Sequence, residues 1–218
     1  SSDLVPEPVK QAAIEAIQAG HNGYTVTQGI RELVDALQAD LDRKYGHEDR
    51  KVIVTSESTN MLHVVSVPEH KITGNILVSA RPRAAVFSAD SKHAYATAEI
   101  GGEVIKVDID TNKILKQGAI GSEKAKPKDV LLSKDEKDIY VAGGRADKVF
   151  VMDANTLEVK KGIPVGKRVW GLAMSRDGRH LYTTDGISNT VSVIDTAAND
   201  VIPTIEVGKM PWGVVIDD

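Results

Sequence analysis

The sequence predicts a mainly β fold: a four-unit β-propeller, as a partial or small ring, preceded by a short two-helix α segment. Two observations support the propeller. From about residue 51 onward, short runs of β-branched residues alternate with Gly, Asp and Asn. These runs recur with a period near 42 residues, which is the length of one propeller blade of four short strands.

Residues 1–50 have the pattern of two helices. Apolar residues recur at helical spacing from Val9 to Ile17 and again from Ile30 to Leu41, and Gly46 follows the second run. An amphipathic segment of this length is too small to form a sizeable core alone. Its apolar faces therefore need a partner, which could be the propeller or a second copy of the segment.

Three independent sets of positions repeat along residues 51–218. One set ends a predicted strand, one precedes a strand that contains Tyr, and one enters a strand. The sets are Ser66, Asp108, Asp153 and Asp195; Ser88, Ser133 and Ser175; and Pro82, Pro127, Val169 and Pro211. Successive members lie 42 or 45 residues apart in every set. Agreement among three sets argues strongly against chance similarity.

The repeats are out of phase with whole blades. The strands of one unit are predicted at Ala84–Ser88, Ala94–Ala98, Glu103–Asp108 and Lys113–Ile120. Lys51–Ser56 then corresponds to a second strand, and Gly213–Asp217 to a lone innermost strand. The prediction is three whole blades plus two complementary pieces of a fourth, whose pairing would remove two exposed edges. Closure of four blades, two chains forming eight, and a larger ring all stay open.

The repeats resemble the YVTN family of β-propellers. Val191–Thr196, Thr204–Gly208 and Pro211–Val214 are similar to that family's repeat pattern. More narrowly, about residues 52–218 resemble the C-terminal part of the propeller proteins associated with PQQ-dependent catabolism. The matching stretches are Asn60–Val64, Ala80–Arg83, Gly166–Trp170 and Thr184–Asn189. This resemblance implies a periplasmic seven-bladed propeller, although a cytoplasmic location stays open.

Residues 1–50 resemble a different family, the class I/II aminotransferases of PLP fold type I. The segments Pro8–Ala13, Gly20–Thr25 and Gly29–Leu33 are the similar ones, and the resemblance implies that Tyr24 approaches the cofactor phosphate. The sequence has no Ser-x-Ser-Lys segment to supply the Schiff-base Lys, so PLP catalysis is not expected. Two resemblances in one sequence indicate a chimera, formed by recombination, construction or assembly of fragments.

The candidate site lies in the loops that enter the innermost strands. These loops contain Arg81, Arg83, Lys126, Lys128, Arg168, Trp170 and Trp212. Because innermost strands surround the central channel, we expect these residues to line one mouth of it. A convergent positive cluster there would bind a small anion, such as a carboxylate or phosphate, or an acidic protein partner. The alternative is that the charges are solvated and that the two Trp residues pack between blades.

Other features argue against several functions. A net charge of −4 gives no attraction to nucleic acid or an anionic membrane, and no apolar stretch is long enough for a membrane helix. The absence of Cys removes thiolate chemistry, and the six His residues lack metal-binding spacing, so no metal site is predicted. The recurring Asp108, Asp153 and Asp195 are predicted to cap turns rather than to form a catalytic pair.

The function predicted from sequence is therefore a non-catalytic scaffold or binding module without a cofactor. One alternative is a periplasmic quinone- or haem-linked oxidoreductase, or an accessory to one, which leaves PQQ or haem open. Another is a chimeric chain with a non-functional PLP aminotransferase fragment. The expected partners are a small anion or a protein, and a homodimer through the open propeller edges or the helical segment stays open.

Overall fold

The computed structural model describes residues 50–122 and 124–217, with isolated positions between residues 11 and 43. The contacts divide the chain into two compact units, Ser1–Glu48 and Asp49–Asp218. The predicted two-helix segment and Tyr24 lie outside the described residues, apart from isolated positions such as Gln11 and Ala36, which are helical. That segment and its aminotransferase-like features therefore stay predictions.

The second unit is built from four antiparallel sheets, here called blades one to four. Blade one has three strands, β1 Lys51–Ser56, β2 Met61–Ser66 and β3 Lys71–Leu77. Blade two has β4 Pro82–Phe87, β5 His93–Ala98, β6 Glu103–Asp108 and β7 Lys113–Ala119. Blade three has β8 Val130–Leu132, β9 Asp138–Ala142, β10 Lys148–Asp153 and β11 Val159–Pro164. Blade four has β12 Val169–Met174, β13 His180–Asp185, β14 Thr190–Asp195 and β15 Asp200–Glu206.

The hydrophobic core lies in three layers, each between two consecutive blades. Strand β9 shows the arrangement: Ile139 and Val141 pack toward blade two, whereas Tyr140 and Ala142 pack toward blade four. Alternate residues of one strand thus enter two different layers, because successive side chains point to opposite faces of a sheet. The inner strands β4, β8 and β12 contact one another in sequence. Blades that stack face to face, with their inner strands side by side, form a β-propeller, as the repeats predict.

The turns between third and outermost strands confirm the predicted role of the recurring Asp residues. The Asp108 carboxylate accepts a hydrogen bond from the Thr111 N–H at 2.7 Å. That of Asp153 accepts from the N–H groups of Asn155 and Thr156, each at 2.9 Å. The Thr156 N–H, then the Lys160 ammonium and the Asn155 N–H, hold the pKa of Asp153 well below its ordinary value. The Asp residues therefore stabilise turns.

The ends of the array confirm one part of the predicted phase and correct another. Strand β1 is the second strand of an incomplete blade, as expected, because it pairs with β2 and has no inner neighbour among the described residues. Residues 213–217, which the sequence predicts as a lone innermost strand, form no strand in this structure, and the predicted supply of an inner strand from the C-terminal end stays a prediction. A strand needs the backbone groups of a neighbour within reach, and in the described structure these residues pair with no strand.

Candidate binding site at the channel mouth

The loops that enter the inner strands are held by side chains from the preceding blade. The backbone N–H of Arg81 donates to Asn60 Oδ1 at 3.0 Å, and that of Arg168 donates to Asp147 Oδ1 at 2.8 Å. In the last loop the N–H of Met210 donates to an Asn189 oxygen in the same way. Each donor and each acceptor residue has a positive φ, between 51° and 65°. The side-chain hydrogen bond offsets part of the cost of this left-handed conformation.

The remaining equivalent loop, which enters blade three, is built differently. Gly102 stands where the other blades have Asn or Asp, so it has no side chain to accept such a bond. Lys126, the residue that matches Arg81, has no positive φ, and the repeat is 45 rather than 42 residues long here. The sequence analysis missed the side-chain acceptors that hold the other three loops, although Asn60, Asp147 and Asn189 recur at the repeat spacing.

On one side of the mouth, the predicted basic residues meet two carboxylates that sequence reasoning also missed. Arg81 Nε lies 2.8 Å from Glu57 Oε2 and 3.3 Å from Glu99 Oε2. Arg83 forms ion pairs with the same two carboxylates, and Lys128 pairs with Glu99. The residues gather as expected, but they form an ion-pair network rather than a ring of positive charge.

The two carboxylates occupy equivalent positions 42 residues apart, directly after β1 and β5. Gly144 and Gly186 hold the matching positions in blades three and four. The period of the repeat was therefore the signal that could have found Glu57 and Glu99. Because blades one and two have Glu at this position and blades three and four have Gly, the two carboxylates lie on one side of the mouth only.

The innermost ion pair of the network joins Glu99 and Lys128, whose side chains are 11% and 8% exposed. Burial raises the pKa of Glu99, but the hydrogen bond and charge of Lys128, with Arg81 and Arg83, outweigh it and the net pKa is lowered. Burial lowers the pKa of Lys128, and Glu99 opposes that shift only in part. The pair is therefore held by mutual attraction against a desolvation cost.

The other half of the mouth is aromatic. The rings of Trp170 and Trp212 stack with centroids 3.9 Å apart and planes inclined by 24°. The Lys128 ammonium lies 4.5 Å from the Trp170 centroid, and the Arg168 guanidinium 5.1 Å from it, which is cation–π geometry. Gly186 makes room for the stack, since a Cβ there would lie 2.8 Å from Trp170. Trp212 remains 63% exposed.

These two halves border an open cavity of about 410 Å³. It is lined by Glu57, Arg83, Lys128, Asp129, Trp170 and Trp212, with backbone from neighbouring residues. Burial raises the pKa of the Asp129 carboxyl, although the N–H of Leu172 donates to it at 2.9 Å. Of the other predicted site residues, Arg81 pairs with the lining residue Glu57, and Arg168 lies over the ring of the lining residue Trp170. Lys126 lies apart from the cavity and makes no ion pair with another described residue.

A larger groove, of about 980 Å³, lies beside the outer strands of blades two and three. Its lining includes Gly118, Ala146, Phe150 and Leu157, and it brings together no such combination of stacked rings and partly desolvated charges. The channel mouth is therefore the better candidate site. Within the described part of the chain, no group of three or more His, Cys, Asp or Glu residues could hold a metal ion. None of the helical positions described there belongs to a helix long and apolar enough to span a membrane.

Comparison with known proteins agrees with the β-propeller fold. Residues 133–218 match the family model of the YNCE-like beta-propeller. A hydrazine synthase chain from Kuenenia stuttgartiensis is 22% identical, with a TM-score of 0.66, over 71% of this chain and 45% of that one. A functionally unknown protein from Desulfotomaculum acetoxidans is 15% identical, with a TM-score of 0.68, over 78% of this chain and 57% of that one.

A catalytically inactive virginiamycin B lyase from Staphylococcus aureus, solved with quinupristin, is 13% identical over 76% of this chain and 56% of that one, with a TM-score of 0.66. At these identities the similarity establishes the fold alone. The chain spans about half of the length of these structures. It is also 43% identical over 60 residues to valine–pyruvate aminotransferase of Mycobacterium tuberculosis, which covers 26% of this chain and 16% of that protein.

Proposed function

We propose that the chain is a non-catalytic β-propeller module that binds a small planar organic anion at the channel mouth. The observation that supports this most directly is the Trp170–Trp212 stack, with Trp212 63% exposed beside the partly desolvated Arg83 and Lys128. Covering an exposed indole ring with a planar ligand stabilises the complex by about 25 cal/mol per Å² of apolar area buried.

The charges of the mouth select an anion. The Arg83 side chain is 18% exposed and lines the cavity, so a ligand carboxylate can reach it from the channel. That carboxylate would compete with Glu57, whose side chain is 45% exposed and can turn toward solvent. The ligand ring would lie against Trp212. Glu57 is thus an internal competitor for the ligand's anionic group.

Intrinsic fluorescence is a direct assay, because the chain has two Trp residues and both lie at the mouth. We expect benzoate to change the emission saturably, with an affinity that falls as salt is added. Benzamide, which has the same ring without the charge, should bind much more weakly. If benzoate and benzamide behave alike, or neither produces a saturable change, the proposal is wrong.

Matched variants locate the site. Arg83→Met should weaken benzoate binding about tenfold or more, since it removes a charge-assisted contact, whereas Glu57→Gln should strengthen binding because it removes the competitor. Lys116→Met is the control, as it removes an exposed cation on the outer strand β7. Equal binding by the Arg83 and Lys116 variants would remove the site assignment.

The absence of a cofactor, like the periplasmic location, remains part of the proposal. Haem, PLP and quinone cofactors all give a protein characteristic near-ultraviolet or visible absorption. A spectrum of the purified chain with stoichiometric absorption of this kind would favour the oxidoreductase or aminotransferase alternative instead.

A further inference from the structure

The lining of the channel-mouth cavity includes a carboxylate, that of Asp129, which has no cation beside it in the described part of the chain. Glu57 lines the same cavity and pairs with Arg81 and Arg83. The charged form of Asp129, in contrast, is stabilised by two backbone N–H groups and by no ion pair with a described residue. Asp129 is partly exposed and lies directly before the inner strand β8 of blade three.

The Asp129 carboxylate has acceptor positions that the described residues do not use. Its Oδ2 accepts a hydrogen bond from the Leu172 N–H and its Oδ1 accepts one from the Val130 N–H, both at 2.9 Å. An ionised carboxylate offers about four acceptor positions. Burial raises the pKa of Asp129 more than these two N–H groups lower it. The carboxylate is therefore partly desolvated without full compensation.

The repeat does not require a carboxylate at this position. Ala84, Gly171 and Gly213 hold the equivalent positions of the other repeats, and none of them has a polar side chain. The inner strands of blades two and four are thus built without such a group. Asp129 is a departure from the repeat, and it is placed where its side chain faces the cavity.

One part of the carboxylate has a structural role. In blades two and four the hydroxyls of Thr97 and Thr184 join the inner strand to the following residue stretch of the next blade. Ala142 holds that position in blade three, and the bond from the Leu172 N–H to Asp129 provides a link between blades three and four instead. An uncharged amide could accept the same bond. The link therefore explains one oxygen of Asp129 but not its charge or its second oxygen.

We propose that Asp129 accepts a hydrogen bond from a hydroxyl or amino group on the ring of the bound ligand, so that the ligand class is a hydroxy- or amino-substituted aromatic acid. This inference rests on the proposed binding of a planar anion at the mouth. Asp129 belongs to blade three, between the blade of Arg83 and the blade of Trp170, and all three residues line the cavity. A ring held by the aromatic half can thus present its carboxylate to Arg83 and a second polar group to Asp129.

The charges around Asp129 favour a neutral donor on the ligand. Arg83 and Lys128 line the same cavity, and each would repel an ammonium group brought beside them. A hydroxyl or an aromatic amine donates a hydrogen bond without adding a positive charge. Hydrogen bonds to a charged acceptor are stronger than those between neutral groups, so the donor should contribute clearly to affinity.

Matched ligands test the donor on the unmodified chain. Isothermal titration calorimetry compares 3- and 4-hydroxybenzoate with the corresponding methoxybenzoates, which keep the ring, the carboxylate and the oxygen but have no O–H. The corresponding fluorobenzoates control for size. We expect at least one hydroxybenzoate to bind about tenfold more tightly than both of its counterparts, as a hydrogen bond to a charged group implies.

A substitution assigns this preference to Asp129. Asp129→Asn keeps one oxygen for the Leu172 N–H and replaces the other oxygen by an NH₂ donor. The preference for the hydroxybenzoate should fall to about one or reverse, whereas benzoate should bind more tightly because a negative charge leaves the cavity. Asp200→Asn is the control, since it removes an exposed carboxylate on the outer strand β15, and it should keep the preference.

The outcomes separate this inference from the proposed function. If benzoate does not bind to the unmodified chain, the proposed function fails and the inference fails with it. If benzoate binds but neither hydroxybenzoate exceeds its counterparts, or if Asp129→Asn keeps the preference, the role of Asp129 is wrong and anion binding stands. Should Asp129→Asn not fold, Asp129→Ala, which copies Ala84 of blade two, gives the same decision, and the ligand comparison on the unmodified chain needs no variant.

Discussion

Replacing Glu99 by Gln removes a nearly buried negative charge from between three cations. Its side chain is 11% exposed, it pairs with Lys128, and it lies 3.3 Å from Arg81 and 3.5 Å from Arg83. Removing one partner of a buried ion pair costs about 3–5 kcal/mol, because the other charge is left uncompensated. Glu57 still compensates the two Arg residues but not Lys128. We therefore expect the lower end, about 3 kcal/mol.

The equivalent substitution one blade away is the control. Glu57 is 45% exposed, and exposed ion pairs are worth about 0.2–1 kcal/mol. A loss of 1 kcal/mol lowers the melting temperature of a unit of this size by about 2–4 °C, so Glu99→Gln should lower it by about 6–12 °C and Glu57→Gln by a few degrees at most. Urea unfolding followed by circular dichroism measures both free energies.

A double variant separates the ion pair from other effects of the substitution. Glu99→Gln with Lys128→Met removes both charges, so it should be more stable than Glu99→Gln alone. The reasoning is refuted if Glu99→Gln costs less than about 1 kcal/mol, or if it costs no more than Glu57→Gln.

The pH dependence has a definite sign. The folded-state pKa of Glu99 lies below its ordinary value of 4.5. Its contribution to stability is therefore complete above about pH 4.5 and is lost as the pH falls through the folded-state pKa. The wild-type protein should lose more stability on acidification below pH 4.5 than Glu99→Gln does, which urea unfolding at several pH values would show.

Three further outcomes are expected. Gly186→Ala places a methyl group about 2.8 Å from Trp170 and should cost about 1–3 kcal/mol, with a changed near-ultraviolet circular dichroism; an unchanged spectrum would contradict the tight fit. Burial raises the pKa of Tyr140 to about 12, so alkaline titration of tyrosine absorbance should show a late step that Tyr140→Phe removes. Asn189→Ala leaves the Met210 N–H without its 2.9 Å acceptor and should cost about 1 kcal/mol, as urea unfolding can verify, whereas no loss would show that the loop does not need the bond.

Much of the propeller could be predicted because its repeats are local in sequence. The strands predicted for blade two differ from β4–β7 by no more than two residues at any end. The turn-capping role of Asp108 and Asp153 was also predictable, since a side chain that bonds to a backbone N–H two or three residues later depends only on neighbouring residues.

The sequence by itself determined the period, the phase of the blades and the set of loops that meet at the channel mouth. Only the tertiary structure showed that Glu57 and Glu99 stand between the basic residues and that Trp170 stacks on Trp212. Glu57 is 24 residues from Arg81 along the chain, and which loops touch is decided by how consecutive blades pack around the channel. Electrostatics at the mouth depends on those distances in space, so the positive cluster predicted from the sequence became an ion-pair network beside an aromatic stack.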